Sequence, residues 1–282
     1  MSLETCMWTK KIKIKINNTI SSESREINQG VKQGCPMSPT LFNIYINVIT
    51  KIWENELATD FVIDNFTLNT LLYADDQIIF ANSEDNLQRA VHLLFKVARE
   101  YNLEISIKKT KVMAFEGTNH LRSKIVINNN NVEQVNAFNY LGCNLSYVNS
   151  RDVDLKIAKF QQIIGTIKST LLKKVRPETI LKFYKVMAIP ILLYGSETWT
   201  LTSNQLRRIE AAEMKLLRPL AGYTLYDHKR NADIRTKLNI TPILDTIKNY
   251  RNNWHAHVLR MPYNRLPQRI FHYRPDGRRD IG

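Results

Sequence analysis

The chain has 282 residues with 40 Lys and Arg against 26 Asp and Glu, a formal charge of +14. Its 44% hydrophobic content, with nine Gly and nine Pro, suits a folded protein and excludes a collagen-like or disordered one. Membrane insertion is excluded as well: the longest apolar run, Val186 to Tyr194, contains Pro190 and is too short to cross a bilayer.

Lys11 to Asn17 alternates Lys and Ile with period two, which predicts a strand with one solvated face, turning at Asn17-Asn18 into a hairpin. Ser38 as N-cap and Pro39 in the first turn predict a helix over 38–57 with Leu41, Phe42, Tyr45, Ile46, Ile49, Ile52 and Trp53 toward a core. Thr67 to Tyr73 and Gln77 to Ala81 predict a hairpin carrying Asp75 and Asp76 at its tip. Ser83 caps a second helix, whose buried stripe is Leu87, Val91, Leu94, Phe95 and Ala98. Strands are expected at Leu103–Ile107, Lys111–Phe115, Lys124–Ile127 and Phe138–Leu145. From Asp152 the texture becomes helical, at 152–174, 178–188, 203–221, 230–238 and 243–260, with breaks at Pro177, Pro190, Gly222 and Pro242. The last twenty residues, rich in Pro, Arg and Gly, are expected to be weakly ordered.

The charge is uneven. Residues 1–118 hold 13 basic and 14 acidic side chains, net −1, whereas 119–282 hold 27 and 12, net +15. This division suggests a near-neutral working domain joined to a basic domain that grips nucleic acid, with Lys-rich solvated helix faces as the alternative. Cys6, Cys35 and Cys143 show neither a disulfide framework nor metal-ligand spacing, which favours a reducing compartment. The expected location is intracellular, with nucleus and cytoplasm both open, because no signal-peptide stretch appears and the basic pairs are too short to act as localisation signals.

Asp75 and Asp76 are costly to ionise side by side unless a cation neutralises them. Oxygen ligands without His or thiolate point to Mg²⁺ or Mn²⁺. The dipeptide alone also reads as an ordinary turn joining two strands. His255, His257 and His272 carry no comparable signal, since i and i+2 lie on different faces of a helix.

Four segments then occur in order: Gln33-Gly34-Cys35-Pro36-Met37-Ser38-Pro39-Thr40-Leu41-Phe42, Tyr73-Ala74-Asp75-Asp76, Lys109-Thr110-Lys111 and Tyr140-Leu141-Gly142. In this order the chain resembles the reverse transcriptases of non-LTR (LINE-type) retrotransposons. The resemblance continues through Leu193-Tyr194-Gly195-Ser196-Glu197-Thr198-Trp199 and His257-Val258-Leu259-Arg260-Met261. It implies an α+β fold: a partial polymerase palm of antiparallel strands with helices over 1–118, a primer-grip hairpin and all-α thumb over 119–222, and a basic helical C-terminal region over 223–282.

The resemblance also implies roles. Asp75, supported by Asp76, would hold the metals of a two-metal site where a primer 3′-hydroxyl attacks the α-phosphate of an incoming dNTP. Gln33 and Gly34 would lie near the nucleotide and the templating base, with Tyr73 and Ala74 beneath the carboxylates. Lys109 would approach the triphosphate and protonate the departing pyrophosphate; Lys108 and Lys111 compete for that role. Tyr140, Leu141 and Gly142 would position the primer, although a purely structural hairpin explains them as well. The implied partners are an RNA template, a DNA primer and dNTP, with no membrane. The family's other metal-binding aspartate, in an Asp-x-x-x-Ala-Phe-Asp pattern, would precede Gln33, where the only acids are Glu4, Glu23 and Glu26. The chain is therefore expected to be a truncated palm that polymerises poorly alone and takes a partner over its uncovered apolar faces. The alternatives are a non-enzymatic nucleic-acid-binding remnant and a non-functional pseudogene product.

Overall fold

The computed structural model describes residues 10–12, 15–16, 19–20, 25–27, 30–32, 34–58, 60–63, 66–115, 122–146, 150–172 and 174–274. The chain divides into two compact units, 1–135 and 136–282. The first holds 15 basic and 15 acidic side chains and the second 25 and 11, so the whole formal charge of +14 lies in the second unit. Strand pairs and helices are mixed, an α+β composition. No helix among the described residues is long and apolar enough to cross a membrane.

In the first unit the alternating Lys-Ile run supplies two short strands. β1 (Lys10–Ile12) pairs antiparallel with β4 (Arg25–Ile27), and β2 (Lys15–Ile16) with β3 (Thr19–Ile20). The expected Asn17-Asn18 turn lies between β2 and β3 but outside the described residues.

Helix α1 (Ser38–Glu56) begins one residue earlier than its sequence signal. Met37 occupies the cap position, and Ser38, already helical, donates its hydroxyl to the Lys32 carbonyl at 2.5 Å. The serine thus ties down the preceding turn instead of accepting from the first helical N–H groups. Ile49 and Trp53 are buried, and Trp53 Nε1 donates to the Ala90 carbonyl at 2.8 Å, fixing α1 against α2 (Glu84–Glu100). Tyr45, expected in the core, is exposed; its hydroxyl donates instead to the Tyr101 carbonyl. Ile44 and Val48 are exposed on the same helix.

Ser83 caps α2 as its sequence predicts, accepting from the Asn86 N–H at 3.2 Å. Glu84 and Asp85 in the first turn complement the positive end of the helix. Gln88 on α2 both donates to the Val126 carbonyl (2.9 Å) and accepts from the Val126 N–H (2.7 Å), so a side-chain amide completes the edge of β10 (Val126–Ile127). The core of this unit gathers Val91, Val112, Ile125, Ile127 and Val132, with Ile79, Leu87 and Phe95 packed against it.

Two expected strands shrink. Leu103–Ile107 has no ladder partner among the described residues and runs into a turn, although Ile105 and Ile107 still fill the core. Of Lys111–Phe115 only β9 (Lys111–Val112) pairs, in parallel, with β12 (Glu133–Gln134). Apolar alternation reported burial here, but a strand also needs a neighbour, which a single segment does not reveal.

The second unit opens with a hairpin, β13 (Ala137–Tyr140) and β14 (Cys143–Ser146), followed by α3 (Ser150–Leu171). The expected break at Pro190 does not occur. α4 (Pro177–Phe183), a π-helical turn (Tyr184–Ala188) and α5 (Ile189–Leu193) form one continuous run. The widened turn, with the Ile189 N–H reaching back to the Tyr184 carbonyl, places Pro190 in a first-turn position where its missing N–H costs little. α6 (Ser203–Leu220) starts on a reciprocal Thr202–Gln205 capping box, and Gly222, at φ +81°, follows its end. α7 (Asn231–Leu238) and α8 (Ile243–Leu259) follow. The tail expected to be weakly ordered contains α9 (Leu266–His272).

The core of the second unit is larger. Ile157, Phe160 and Ile164 of α3 meet Ile180, Tyr184 and Leu192, with Ile209, Leu216 and Leu217 of α6 closing it. Within it, Glu213 is fully buried and accepts from Arg235 Nη2 (2.7 Å), Arg235 Nε (3.1 Å) and the Tyr184 hydroxyl (3.0 Å). Burial pushes the Glu213 carboxyl and the Tyr184 hydroxyl above their usual values, while the paired carboxylates of Glu213 and Glu210 outweigh burial and hold Arg235 in its charged form.

Candidate active site

β7 (Thr70–Tyr73) and β8 (Asp76–Ile79) pair antiparallel in the register Thr70↔Ile79 through Tyr73↔Asp76, leaving a two-residue loop of Ala74 and Asp75. Ala74 takes a left-handed φ of +53°, a conformation that admits a tight hairpin but penalises any residue bearing a Cβ. Asp75 therefore stands in the loop, and Asp76 opens β8 as the closing partner of Tyr73. At the base of the hairpin the Thr70 hydroxyl donates to the Ile78 carbonyl at 2.8 Å and Ile79 enters the core, so the tip rests on a fixed stem.

Tyr73, Ala74, Asp75 and Asp76 are all exposed. Tyr73, at 65% exposure, does not pack beneath the carboxylates as expected; it presents its ring to solvent beside them. The donor set fits a hard divalent cation: two adjacent carboxylates, oxygen only, open enough for water and phosphate oxygens to complete the sphere. Among the described residues no group of three or more His, Cys, Asp or Glu converges, so a cation held here would take only part of its coordination shell from the pair.

The other candidates of this unit occupy separate turns. Gly34, exposed at φ +81°, lies in the turn leading to α1, and Gln33 beside it lies outside the described residues. Lys109 is exposed in a turn held by its own N–H and that of Thr110 on the Ser106 carbonyl, at 3.1 and 2.9 Å. Of the competing lysines, Lys111 is engaged by Glu133 at 2.5 Å, whereas Lys108 is exposed like Lys109.

Tyr140, Leu141 and Gly142 lie in the second unit. Tyr140↔Cys143 closes their hairpin, and Leu141 (φ +47°) and Gly142 (φ +77°) form a two-residue loop with both positions left-handed. A neighbouring segment clamps this tip. The Tyr194 hydroxyl donates to the Leu141 carbonyl at 2.6 Å, and its ring lies 3.1 Å from where a Cβ on Gly142 would stand. One residue on, a Cβ on Gly195 would come within 2.7 Å of Cys143 Sγ and 2.9 Å of Lys156 Nζ, so only glycine lets the chain pass there.

Asp152 is the hub of this clamp. It accepts from the Asn144 N–H (2.8 Å), Lys156 Nζ (2.9 Å) and Trp199 Nε1 (3.1 Å). Burial alone would raise its carboxyl; the three donors and the Lys156 charge outweigh that and hold it below the usual 3.8. Lys156 is itself buried, its ammonium also 5.3 Å from the centre of the Tyr194 ring. Sequence reasoning gave Asp152, Lys156, Tyr194 and Trp199 no role. The local signals were the opposite charge of Asp152 and Lys156 at i and i+4 on α3, and the place of Tyr194 and Trp199 in the Leu193–Trp199 segment of the resemblance.

Residues 1–145, half of the chain, match the family model described as reverse transcriptase (RNA-dependent DNA polymerase). The chain belongs to the reverse transcriptase family. It is 26% identical to a transposon-derived protein of Caenorhabditis elegans, over 74% of this chain and 77% of that one. The RNA-directed DNA polymerase from mobile element jockey of Drosophila funebris is 25% identical over 88% of this chain, and that from transposon X-element of Drosophila melanogaster is 23% identical over 98%. The chain spans 28% and 30% of the length of these two fly proteins. This reverse transcriptase domain is therefore of the non-LTR retrotransposon kind, as the ordered motifs implied.

Proposed function

We propose that the chain is the catalytic-hairpin-to-thumb part of an RNA-directed DNA polymerase that joins dNTPs to a primer 3′-hydroxyl on an RNA template. The observation that carries this reading is the Tyr73–Asp76 tip, two carboxylates presented by a tight hairpin within the segment matched to the family. Asp75 and Asp76 would hold a divalent cation, Mg²⁺ or Mn²⁺, which supplies charge neutralisation for the triphosphate. Lys109, exposed in its turn, would meet the phosphates and protonate the leaving pyrophosphate. Gly34, with Gln33, would approach nucleotide and template, and the Tyr140–Gly142 tip would position the primer. The first unit would act as palm and the helices after Asp152 as thumb, their positive charge following the template–primer backbone. The exposed Ile44 and Val48 of α1 support a further cover, from a partner or a longer chain.

Two-metal transfer takes a third carboxylate, and none joins Asp75 and Asp76 among the described residues. The chain alone is therefore expected to extend a primer slowly, and Asp75→Ala to remove what extension it has. Primer extension on an RNA template with Mg²⁺ and with Mn²⁺ measures both. Extension that survives Asp75→Ala overturns the catalytic role of the hairpin. Binding of an RNA–DNA hybrid that survives Asp75→Ala, with no extension by either form, selects the second reading, a non-enzymatic binder; the charge held entirely by the second unit favours that alternative.

A further inference from the structure

Helix α8 is exposed on every side for most of its length. A helix packed on a core hides one stripe, roughly every third or fourth residue. In α8 only Ile243, Ile247 and Val258 are buried, and all residues from Lys248 to His257 face solvent. That stretch nevertheless carries Tyr250 and Trp254, 45% and 41% exposed, and α9 adds Phe271 at 40% with Tyr263 just before it at 70%.

Their ring contacts fall into two groups, Trp254 with His257 and a run through His255, Phe271, His272 and Tyr263. Trp254 lies 5.6 Å from His257, and His255 meets Phe271 edge-on at 4.9 Å. Phe271 continues to His272 at 5.3 Å, and His272 to Tyr263 at 6.1 Å. Residues 243–274 also carry Lys248, Arg251, Arg260, Arg265, Arg269 and Arg274 against a single acid, Asp245.

We propose that the α8–α9 surface binds single-stranded nucleic acid, stacking unpaired bases on Trp254 and Phe271 while Arg251, Arg260 and Arg265 hold the backbone. Exposed rings set among guanidinium groups match a ligand that offers flat π-faces and phosphates together. A paired duplex hides its base faces and presents phosphates only, so the rings select the unpaired strand. An acidic protein partner would satisfy the arginines and leave the ring faces without stacking partners. The inference goes beyond the polymerase reading, because it needs neither Asp75 nor a primer terminus.

The test is fluorescence anisotropy with the full chain and four labelled probes: oligouridylate, oligothymidylate, an abasic strand of equal length and an RNA–DNA hybrid. The base-bearing strands are expected to bind at least about ten-fold tighter than the abasic strand. Trp254→Ala combined with Phe271→Ala removes that advantage and leaves hybrid binding unchanged, while Trp254→Tyr preserves it. Preference for uridylate assigns the surface to RNA and equal binding to either sugar; both support the proposal. Equal affinity for abasic and base-bearing strands overturns it, leaving phosphate attraction alone. It is also overturned if the double variant weakens hybrid and single strand alike, or if it changes only self-association. Asp75→Ala leaves the advantage in place, so failure of the catalytic reading and failure of this one are read separately.

Discussion

Ala74, first in its two-residue hairpin loop, and Gly142, second in its own, meet the left-handed region differently. At φ +53° the Cβ of Ala74 costs about 1 kcal/mol, a strain kept at the tip that presents Asp75. Ala74→Gly is expected to raise stability by about that amount in urea unfolding; no gain, or a loss, means that the alanine side chain holds the loop by a contact of its own. Gly142 has the opposite balance. A methyl there adds φ strain and stands 3.1 Å from Tyr194 Cε1, a ring tied by its hydroxyl to the Leu141 carbonyl. Gly142→Ala is expected to cost about 1–2 kcal/mol, and less in a Tyr194→Phe background, where the freed ring yields. A double-mutant cycle measures the difference, and strict additivity would show that Tyr194 does not restrain the tip. Both glycines of this clamp were visible in the sequence only as members of Tyr-Leu-Gly and Tyr-Gly-Ser triplets. What makes them necessary is the approach of Tyr194 to Gly142 and of Cys143 to Gly195, each pair more than fifty positions apart, and local pattern does not report such distances.

At the scale of elements, α3, α6, α7 and α8 were legible almost to their ends, and several of these ends carry their own start or stop: the Thr202–Gln205 box, Gly222 at positive φ, Asn239 at φ +50°. The failures share a cause. Leu103–Ile107 lacks a strand partner, and Pro190 is accommodated by the π turn before it; both outcomes depend on neighbours in the fold. The Asp152 hub is the same kind of feature, since α3, the β14 strand and the Trp199 segment meet only after folding. Because its folded-state carboxyl is held below 3.8, it binds protons less readily folded than unfolded. Its contribution is thus fully present above that value and is lost as pH falls through the lower folded one. Asp152→Asn is expected to destabilise the chain by about 1–3 kcal/mol near neutrality, through lost charge-assisted hydrogen bonds. The gap to the unsubstituted chain should narrow steadily below pH 3.8. Unfolding midpoints taken across acid pH measure it, and a gap that stays constant would mean that Asp152 acts by shape and not by charge.

For the whole molecule, the charge read from composition as +14 resolves into a neutral first unit and a second unit that carries all of it. Part of the second unit's charge is neutralised inside the fold, where Arg235 pairs with Glu213 and Glu210 and Lys156 with Asp152, so these cations are not offered to phosphates. Arg251, Arg260 and Arg265, all exposed, are among the cations that are offered. Two kinds of contact then separate by their salt response. Each phosphate neutralised releases counterions and adds about 0.9 to the slope of log affinity against log salt on a DNA duplex, or about 0.7 on a single strand. Stacking releases none. Arg251→Gln with Arg265→Gln is therefore expected to flatten the slope for single strands by about 1–1.5. Trp254→Ala with Phe271→Ala is expected to lower affinity for the same strands at every salt concentration and leave the slope as it was. Titrations of the full chain from low to high salt give both quantities. If the ring substitutions flatten the slope, the rings act by positioning arginines; if the arginine substitutions leave it unchanged, the backbone runs over another face of the basic unit.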